Sequence, residues 1–148
     1  MNRDGDPQAL AEQVVARMMA RDAFSQWLGI EILETAPRRS VCRMTVRPEM
    51  VNGFGVTHGG IAFSLADSAF AFACNTNGNV TVSIENAMTY PAPVHPGDVL
   101  TAVAEEEAAS NRISYYRSEV RNQRGEVVGL FRGTAYRTSR VHDVGGTG

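Results

Sequence analysis

The sequence predicts an α+β domain in which one long buried helix is wrapped by a curved antiparallel sheet. The segment from about residue 60 to 75 has the length and alanine content of a helix and is apolar on nearly every side, as expected of a helix inside a core. The segments around it alternate apolar and polar residues and follow one another through short turns, which favours mostly antiparallel strands.

Length and composition indicate a single globular domain. The chain has 148 residues, of which 43% are hydrophobic and 20% charged, with a net charge of −2. A charge this small steers the protein neither to nucleic acid nor to an anionic membrane, so no partner of either kind is expected. No targeting segment or membrane span is visible, which predicts a cytoplasmic location. We expect one domain over residues 1–140 and a disordered tail over 141–148.

An extra N-terminal helical segment is predicted at residues 7–28. Asp6 suits the N-cap position and Pro7 the first helical position, and apolar residues then recur at helical spacing. A second, short helix ends at Gly29. We expect this segment to pack as a lid on the domain, with Trp27 as its anchor.

Two strands are predicted before the long helix and four after it. The two before it are IEILETA and SVCRMTV, which suggest a hairpin. The first strand after the helix alternates in a way that places Ser83 on the face opposite Val82 and Ile84. The last three strands are VLTAVAEEE, RISYYRSEV and EVVGLFRGTAYR, with turn residues between them.

Several kinds of site are excluded by what the sequence lacks. It has no G-x-S-x-G elbow, phosphate loop or dinucleotide fingerprint. Its three histidines lack metal-ligand spacing, so neither a metal nor a cofactor is expected. Cys42 and Cys74 lie in apolar segments without a C-x-x-C motif, which predicts buried, reduced thiols.

The segment NGFGVTHGG and the helix after it carry the candidate chemistry. Two glycines follow His58 where the helix begins, so backbone N–H groups there are not covered by side chains. A helix N-terminus with free donors can hold a carboxylate, a phosphate or the oxyanion of a tetrahedral intermediate. An ordinary tight turn is the alternative interpretation.

Asp67 is the carboxylate of the buried helix. It shares one narrow stripe with Ser64, Ser68 and Ala71, at spacings i, i+3, i+4 and i+7. A buried carboxylate costs several kcal/mol unless it is paired or hydrogen-bonded. Asp67 is therefore either satisfied by a partner or water, or used as a group with a perturbed pKa.

The spacing between Gly59 and Asp67 constrains any shared role. Eight residues separate them, which is about 12 Å along one helix. A base and an oxyanion donor that act on one carbonyl must both lie about 3 Å from the reacting atoms. If the motif is catalytic, the protein should be at least a dimer, in which antiparallel helices bring the start of one helix to Asp67 of the other.

The stretch MVNGFGVTHGGIAFSLADSAFAFACNTNG resembles the signature of the hotdog-fold thioesterases, most closely those of the phenylacetic-acid-degradation type. The resemblance extends to WLGI, RMTVRPEM, HPGDVLTA and GLFRGTAYR. It implies the hotdog fold, dimers that share a continuous sheet, often homotetramers, and hydrolysis of acyl-CoA thioesters. Coenzyme A is then part of the substrate rather than a cofactor.

The resemblance also implies roles for single residues. Asp67 matches the catalytic carboxylate, and Gly59 matches the backbone donor to the thioester oxygen. Asn52 matches an amide that positions the attacking water or the thioester, and His58 matches a histidine that orients other groups. Ser83 matches a serine or threonine that related thioesterases place near the site.

Substrate contacts are also expected at Gly60 and in an acyl pocket, although core packing explains the pocket residues equally well. The pocket candidates are Val51, Phe54 and Phe63. Arginines in or beside the late strands could reach the phosphates of coenzyme A, or could be solvated surface residues. They are Arg112, Arg132 and Arg137.

The expected reaction is hydrolysis of phenylacetyl-CoA or a ring-hydroxylated relative. Asp67 would activate water as a general base or attack the carbonyl itself to form a mixed anhydride, and the sequence leaves both open. Two rival functions remain. One is a hotdog hydratase or dehydratase of acyl thioesters, and the other is a non-catalytic acyl-CoA-binding module.

Overall fold

A computed structural model describes residues 5–145 and contains three α-helices and six strands within that range. The helices are Pro7–Arg21 (α1), Ala23–Leu28 (α2) and Gly59–Asn75 (α3). The strands are Glu31–Ala36 (β1), Arg39–Thr45 (β2), Asn79–Thr89 (β3), Val99–Ala109 (β4), Ile113–Arg121 (β5) and Val127–Val141 (β6). The predicted α+β class, the long central helix and the extra N-terminal helix are confirmed.

The six strands form one antiparallel sheet in the order β1-β2-β4-β5-β6-β3. Because α3 packs against β2 to β6, the sheet must curve around the helix. β3 does not pair with β4, the next strand in sequence, but lies at the edge beside β6. The proline-rich segment 90–98 carries the chain from that edge to the middle of the sheet.

Aromatic packing fixes α3 on the sheet. The Phe70 ring lies 5.5 Å from the ring of Tyr116 and 5.6 Å from that of Phe131, measured between centroids. All three residues are buried, and each aromatic side chain removes a large apolar area from water. Gly133 of β6 makes this close approach possible, because a Cβ there would lie 2.8 Å from the Phe70 ring.

The predicted ends of the N-terminal helices are confirmed. The Asp6 carboxylate accepts a hydrogen bond of 3.0 Å from the backbone N–H of Gln8, and Pro7 begins the helix. Gly29 ends α2 with a φ of 75°, a left-handed conformation that favours glycine.

The expected anchoring role of Trp27 is wrong. Its side chain is 57% exposed, whereas the neighbouring Leu28 is fully buried and carries the packing of α2. The hydroxyls of Ser25 and Ser68 meet at 2.8 Å in a buried contact that joins α2 to α3. In this six-residue helix, Leu28 and Ser25 face the core, and Trp27 points away from it.

Edge strand β3 contains a bulge. Ser83 pairs with Ala135 and Glu85 with Thr134, so Ile84 is an extra residue that bends the strand. The pairing partners show that the alternation of faces is shifted by one residue after the bulge. Ser83 and Asn86 therefore lie on the same face, which strict alternation would forbid.

The chain stays in the fold beyond the predicted start of the tail at position 141. Strand β6 includes Val141, and the His142 N–H donates to the carbonyl of Gly78 over 2.8 Å. A ring nitrogen of His142 also lies 2.7 Å from Asn75 Oδ1. These bonds hold the segment beyond β6 against the end of α3, and residues 1–4 and 146–148 lie outside the described range.

Both cysteines are buried, as predicted. Burial raises the pKa of the Cys42 thiol to about 11 and that of Cys74 to about 12, so both are protonated at neutral pH. Among residues 5–145, no three metal-binding side chains cluster together. None of the helices in that range is long and apolar enough to cross a membrane.

Candidate active site

The start of α3 is held by side chains on both sides of one peptide group. His58 is the N-cap, and its Nδ1 accepts a hydrogen bond of 3.0 Å from the N–H of Gly60. The hydroxyl of Tyr90, just after β3, donates to the carbonyl of Gly59 over 2.9 Å. The peptide between Gly59 and Gly60 is therefore fixed at its carbonyl and at its N–H.

The N–H of Gly59 is left available by this arrangement. Its residue is exposed, and within the described part of the chain its N–H donates to no protein acceptor. Helix N-termini attract negative charge, so this N–H suits a developing oxyanion. Gly60, which was expected to contact substrate, differs because its N–H is already bound to His58.

Asp67 lies in the middle of α3 and is linked to β3. The side-chain amide of Asn86 donates to Asp67 Oδ1 over 3.2 Å. The Ser83 hydroxyl in turn donates to Asn86 Oδ1 over 2.8 Å. Ser83, a predicted site residue, thus reaches Asp67 through Asn86, which the sequence analysis missed because the bulge in β3 is not visible as a break in its alternation.

Burial raises the pKa of Asp67 above its ordinary value. The hydrogen bond from Asn86 opposes this by stabilising the carboxylate, and the nearby negative charge of Asp22 adds to the rise. A partly buried carboxylate with a raised pKa is a stronger base than a solvated one, which is the property that proton abstraction from water requires.

The structure does not bring Gly59 and Asp67 together within one chain. Helix α3 is continuous from Gly59 to Asn75, so the eight-residue separation remains about 12 Å along the axis. The polar residues on the stripe that contains Asp67 also contact two different elements. Asp67 bonds to β3, whereas Ser68 bonds to Ser25 of α2.

Asn52 shapes the loop before α3. Its Oδ1 accepts from the N–H of Phe54 over 2.9 Å, and its backbone N–H donates to the carbonyl of Val56 over 2.8 Å. Val51 pairs with Thr57 in an isolated bridge that closes the loop. Phe54, which was expected in the acyl pocket, is instead 93% exposed at the loop tip.

A cavity of about 390 Å³ lies between α2 and the start of α3. Three predicted site residues line it: Val51, His58 and Gly60. Phe24 and Trp27 also line it, although the sequence analysis assigned neither to the site. This space brings the loop, the N-cap and the short aromatic helix α2 together.

Two other predicted contacts lie elsewhere. The Phe63 ring packs edge-on against the core residue Phe131 at 5.5 Å and does not line the cavity. Arg112 donates to the carbonyl of Arg137 over 3.2 Å. Arg137 pairs with Thr81, whose backbone binds the last residue of α3, so Arg112 lies at the opposite end of α3 from Gly59.

The third arginine candidate, Arg132, forms an ion pair on the surface of the sheet. Arg132 Nη1 lies 3.0 Å from Glu107 Oε2 on the exposed side of the sheet. Its side chain is highly exposed, and such surface pairs contribute little to stability.

Comparisons with known proteins identify the family of this chain. The family model of the thioesterase superfamily matches residues 54–129. The acyl-coenzyme A thioesterase PaaI of Escherichia coli K12 is 38% identical over 130 residues, which cover 88% of this chain and 89% of that protein.

Solved structures show the same fold. The E. coli PaaI protein from the phenylacetic acid degradation operon superposes with a TM-score of 0.89 and 36% identity, over 92% of this chain and 99% of that one. A mutant of the phenylacetic acid degradation protein PaaI from Thermus thermophilus has a TM-score of 0.76 and 39% identity, over 79% of this chain and all of that one. The described site residues thus sit on a scaffold that these proteins share.

Proposed function

This chain belongs to the thioesterase superfamily, whose members have the hotdog fold and hydrolyse thioesters, and from that premise we propose that it is an acyl-CoA thioesterase. The products are a free acid and coenzyme A. The similarity to two PaaI proteins supports phenylacetyl-CoA, or a ring-hydroxylated relative, as the substrate.

One observation carries this proposal: a carboxylate with a raised pKa lies in the central helix whose first N–H is free. Asp67 supplies the base, and the N–H of Gly59 supplies the donor to the oxyanion. Each group is fixed by the rigid helix α3 of its own subunit, which holds it in a defined position.

In the reaction that we propose, Asp67 removes a proton from water as the water oxygen bonds to the thioester carbonyl carbon. The carbonyl electron pair moves to oxygen, and the N–H of Gly59 stabilises that oxyanion by about 3–4 kcal/mol. Collapse of the intermediate breaks the C–S bond, and the thiolate of coenzyme A leaves and takes up a proton. Direct attack by Asp67 would instead give a mixed anhydride, which water then hydrolyses.

The distance between Gly59 and Asp67 means that one site takes these groups from two subunits. We propose a homodimer at minimum, assembled into a homotetramer as the family resemblance implies. Edge strand β3 supports this assembly, because Val82 and Ile84 are 45% and 57% exposed and its outer backbone groups are unpaired by any other strand of the described chain.

The other site residues act through these two groups. His58 and Tyr90 hold the peptide after the Gly59 N–H, and Asn52 holds the loop that leads to it. Ser83 orients Asn86, which in turn holds the carboxylate of Asp67.

A thiol-release assay tests the function. The purified protein should release free thiol from phenylacetyl-CoA faster than from hexanoyl-CoA or acetyl-CoA. Tight binding of these compounds without thiol release would overturn the proposal and favour a binding module. Consumption of an enoyl-CoA double bond without thiol release would indicate a hydratase instead.

A further inference from the structure

An exposed aromatic pair of α2 lies near the site. Phe24 and Trp27 are 54% and 57% exposed, and their rings lie 6.1 Å apart with planes inclined by 14°. Two stacked aromatic rings at the surface leave a considerable apolar area in water. Their position on the wall of a cavity suggests that a ligand covers them.

The Trp27 ring is held in place without any ligand. The guanidinium carbon of Arg47 lies 5.0 Å from the centre of the ring, in a cation–π contact. Arg47 itself is paired with Glu49 over 2.7 Å. The ring is held by Arg47 and stacked against Phe24, so the Trp27 side chain is already ordered. A ligand that contacts it therefore binds with little further loss of side-chain conformational entropy.

The cavity beside this pair adjoins the proposed oxyanion donor. It is lined by His58 and Gly60, the residues on either side of Gly59, and by the apolar side chains of Val51 and Ile61. Gly59 itself lines a neighbouring cavity with Tyr90, and His58 lines both cavities. A group bound beside Phe24 and Trp27 is therefore within reach of a thioester whose carbonyl lies at the Gly59 N–H.

Electrostatics favours the acyl group over the phosphates of coenzyme A as the occupant. Among the described residues that line the cavity, Glu49 supplies the only carboxylate, and none supplies a guanidinium. The Arg47 guanidinium that contacts the Trp27 ring is already paired with Glu49 and is not available to a phosphate, whereas an uncharged ring would find aromatic and aliphatic groups.

We propose that Phe24 and Trp27 form the aromatic wall of the acyl pocket and make the enzyme selective for arylacetyl over straight-chain acyl thioesters. This inference rests on the proposed thioesterase function and adds the element that recognises the acyl group. A stacked aromatic pair contributes about 0.5–1.5 kcal/mol beyond area burial, which corresponds to a preference of roughly twofold to twelvefold.

Kinetics of a Trp27 series tests the wall. Trp27→Leu should lower kcat/KM for phenylacetyl-CoA by about threefold to tenfold, mainly through KM, and change hexanoyl-CoA by less than about twofold. Trp27→Phe, which keeps a ring, should restore most of the preference. Tyr115→Leu is the matched control, because Tyr115 is 48% exposed on β5 and lines no part of the cavity.

Equal losses with both substrates would overturn the inference while leaving the thioesterase function intact. A change of oligomeric state in Trp27→Leu, read by light scattering, would also overturn it, because the pair would then be a subunit contact. If the unaltered protein released no thiol from any of these substrates, the proposed function itself would be rejected.

Trp27 is the only tryptophan in the sequence, so its fluorescence reports directly on this wall. In Asp67→Asn protein, which should bind without turnover, phenylacetyl-CoA should change the emission with saturation, and free coenzyme A should change it little. An equal change with free coenzyme A would assign the wall to the nucleotide, and no change with any compound would show that the wall is not a binding surface. Either result would overturn the inference, whether or not the variants fold well enough for kinetics.

Discussion

The side-chain amide of Asn86 on edge strand β3 donates a hydrogen bond of 3.2 Å to the carboxylate of Asp67 in the centre of α3. Burial raises the pKa of Asp67, and this bond works in the opposite direction by stabilising the charged form. The pKa of the proposed catalytic carboxylate thus depends on two opposing effects, its burial and its hydrogen bond from Asn86 on a neighbouring strand.

Removal of that partner should shift the pH dependence of the reaction. Asn86→Ala leaves burial and the charge of Asp22 to act alone, so the pKa of Asp67 rises further and less of it is ionised at a given pH. We expect the acidic limb of the kcat/KM profile to move to higher pH, with a loss of about tenfold at slightly acidic pH. Rates of thiol release between about pH 5 and 9 measure this.

Ser83→Ala provides a graded control for that variant. It removes the hydrogen bond to Asn86 but leaves the bond from Asn86 to Asp67, so the acidic limb should move in the same direction by less. A profile of Asn86→Ala that keeps the wild-type acidic limb would show that Asp67 does not act as the titrating base.

Replacement of the carboxylate should separate activity from stability. Asp67→Asn keeps the shape and can still bond to Asn86 but removes the base, so kcat should fall by about 10²–10⁴. Because burial raises the pKa of Asp67 in the folded state above its ordinary value of 3.8, ionisation opposes folding as pH rises through that folded pKa.

Asp67→Asn should therefore raise Tm at neutral pH, by roughly 2–4 °C for each kcal/mol gained. The gain should vanish below the unfolded pKa, where Asp67 is protonated in both states. Thermal unfolding at about pH 7 and near pH 3 makes the comparison, and a variant with normal turnover would reject the role of Asp67.

A methyl group at the helix start should disturb the oxyanion donor. A Cβ on Gly59 would lie 3.3 Å from the Tyr90 ring, so Gly59→Ala must displace the ring or the peptide that it holds. We expect kcat to fall by about 10–100-fold, because oxyanion donors act only when correctly placed. Steady-state kinetics with a saturating substrate measures the loss.

Two control variants test whether the loss of kcat in Gly59→Ala comes from the displaced oxyanion donor. Gly53→Ala, in the preceding loop, meets no atom within 4 Å, and its rates should stay within about twofold of wild type. Tyr90→Phe keeps the ring and loses the hydrogen bond to the Gly59 carbonyl, and should cost less than Gly59→Ala. Equal losses in Gly53→Ala and Gly59→Ala would mean that the loop, not the donor, is being perturbed.

Mixed subunits test whether one site uses two chains. Asp67→Asn and Gly59→Val proteins should each be inactive, but a heterodimer of the two contains one site with both native groups. Random mixing by co-expression should therefore restore about a quarter of the wild-type sites. Activity that stays at the level of the separate variants would place both groups of each site in the same chain.

The sequence alone predicted the local features of this protein. Asp6 caps the start of α1 and Gly29 ends α2, as their side-chain and backbone chemistry predicts, and α3 occupies the apolar segment that contains Asp67. The distance between Gly59 and Asp67 also followed from sequence, because the rise of a helix is set by its own hydrogen bonds. Such features depend on residues close to one another in the chain.

Only the tertiary structure decided the partners of those features. The position of β3 beside β6, and the bulge at Ile84 that turns Asn86 towards Asp67, arise from pairing with residues about 50 positions later in the chain. The exposure of Trp27 was likewise invisible, since an aromatic residue in a short helix reads as core until its neighbours are known. The spacing of apolar residues in the sequence shows which residues share a face of a helix or strand. Which of those faces becomes buried depends on the energy of packing against segments that are distant in the chain.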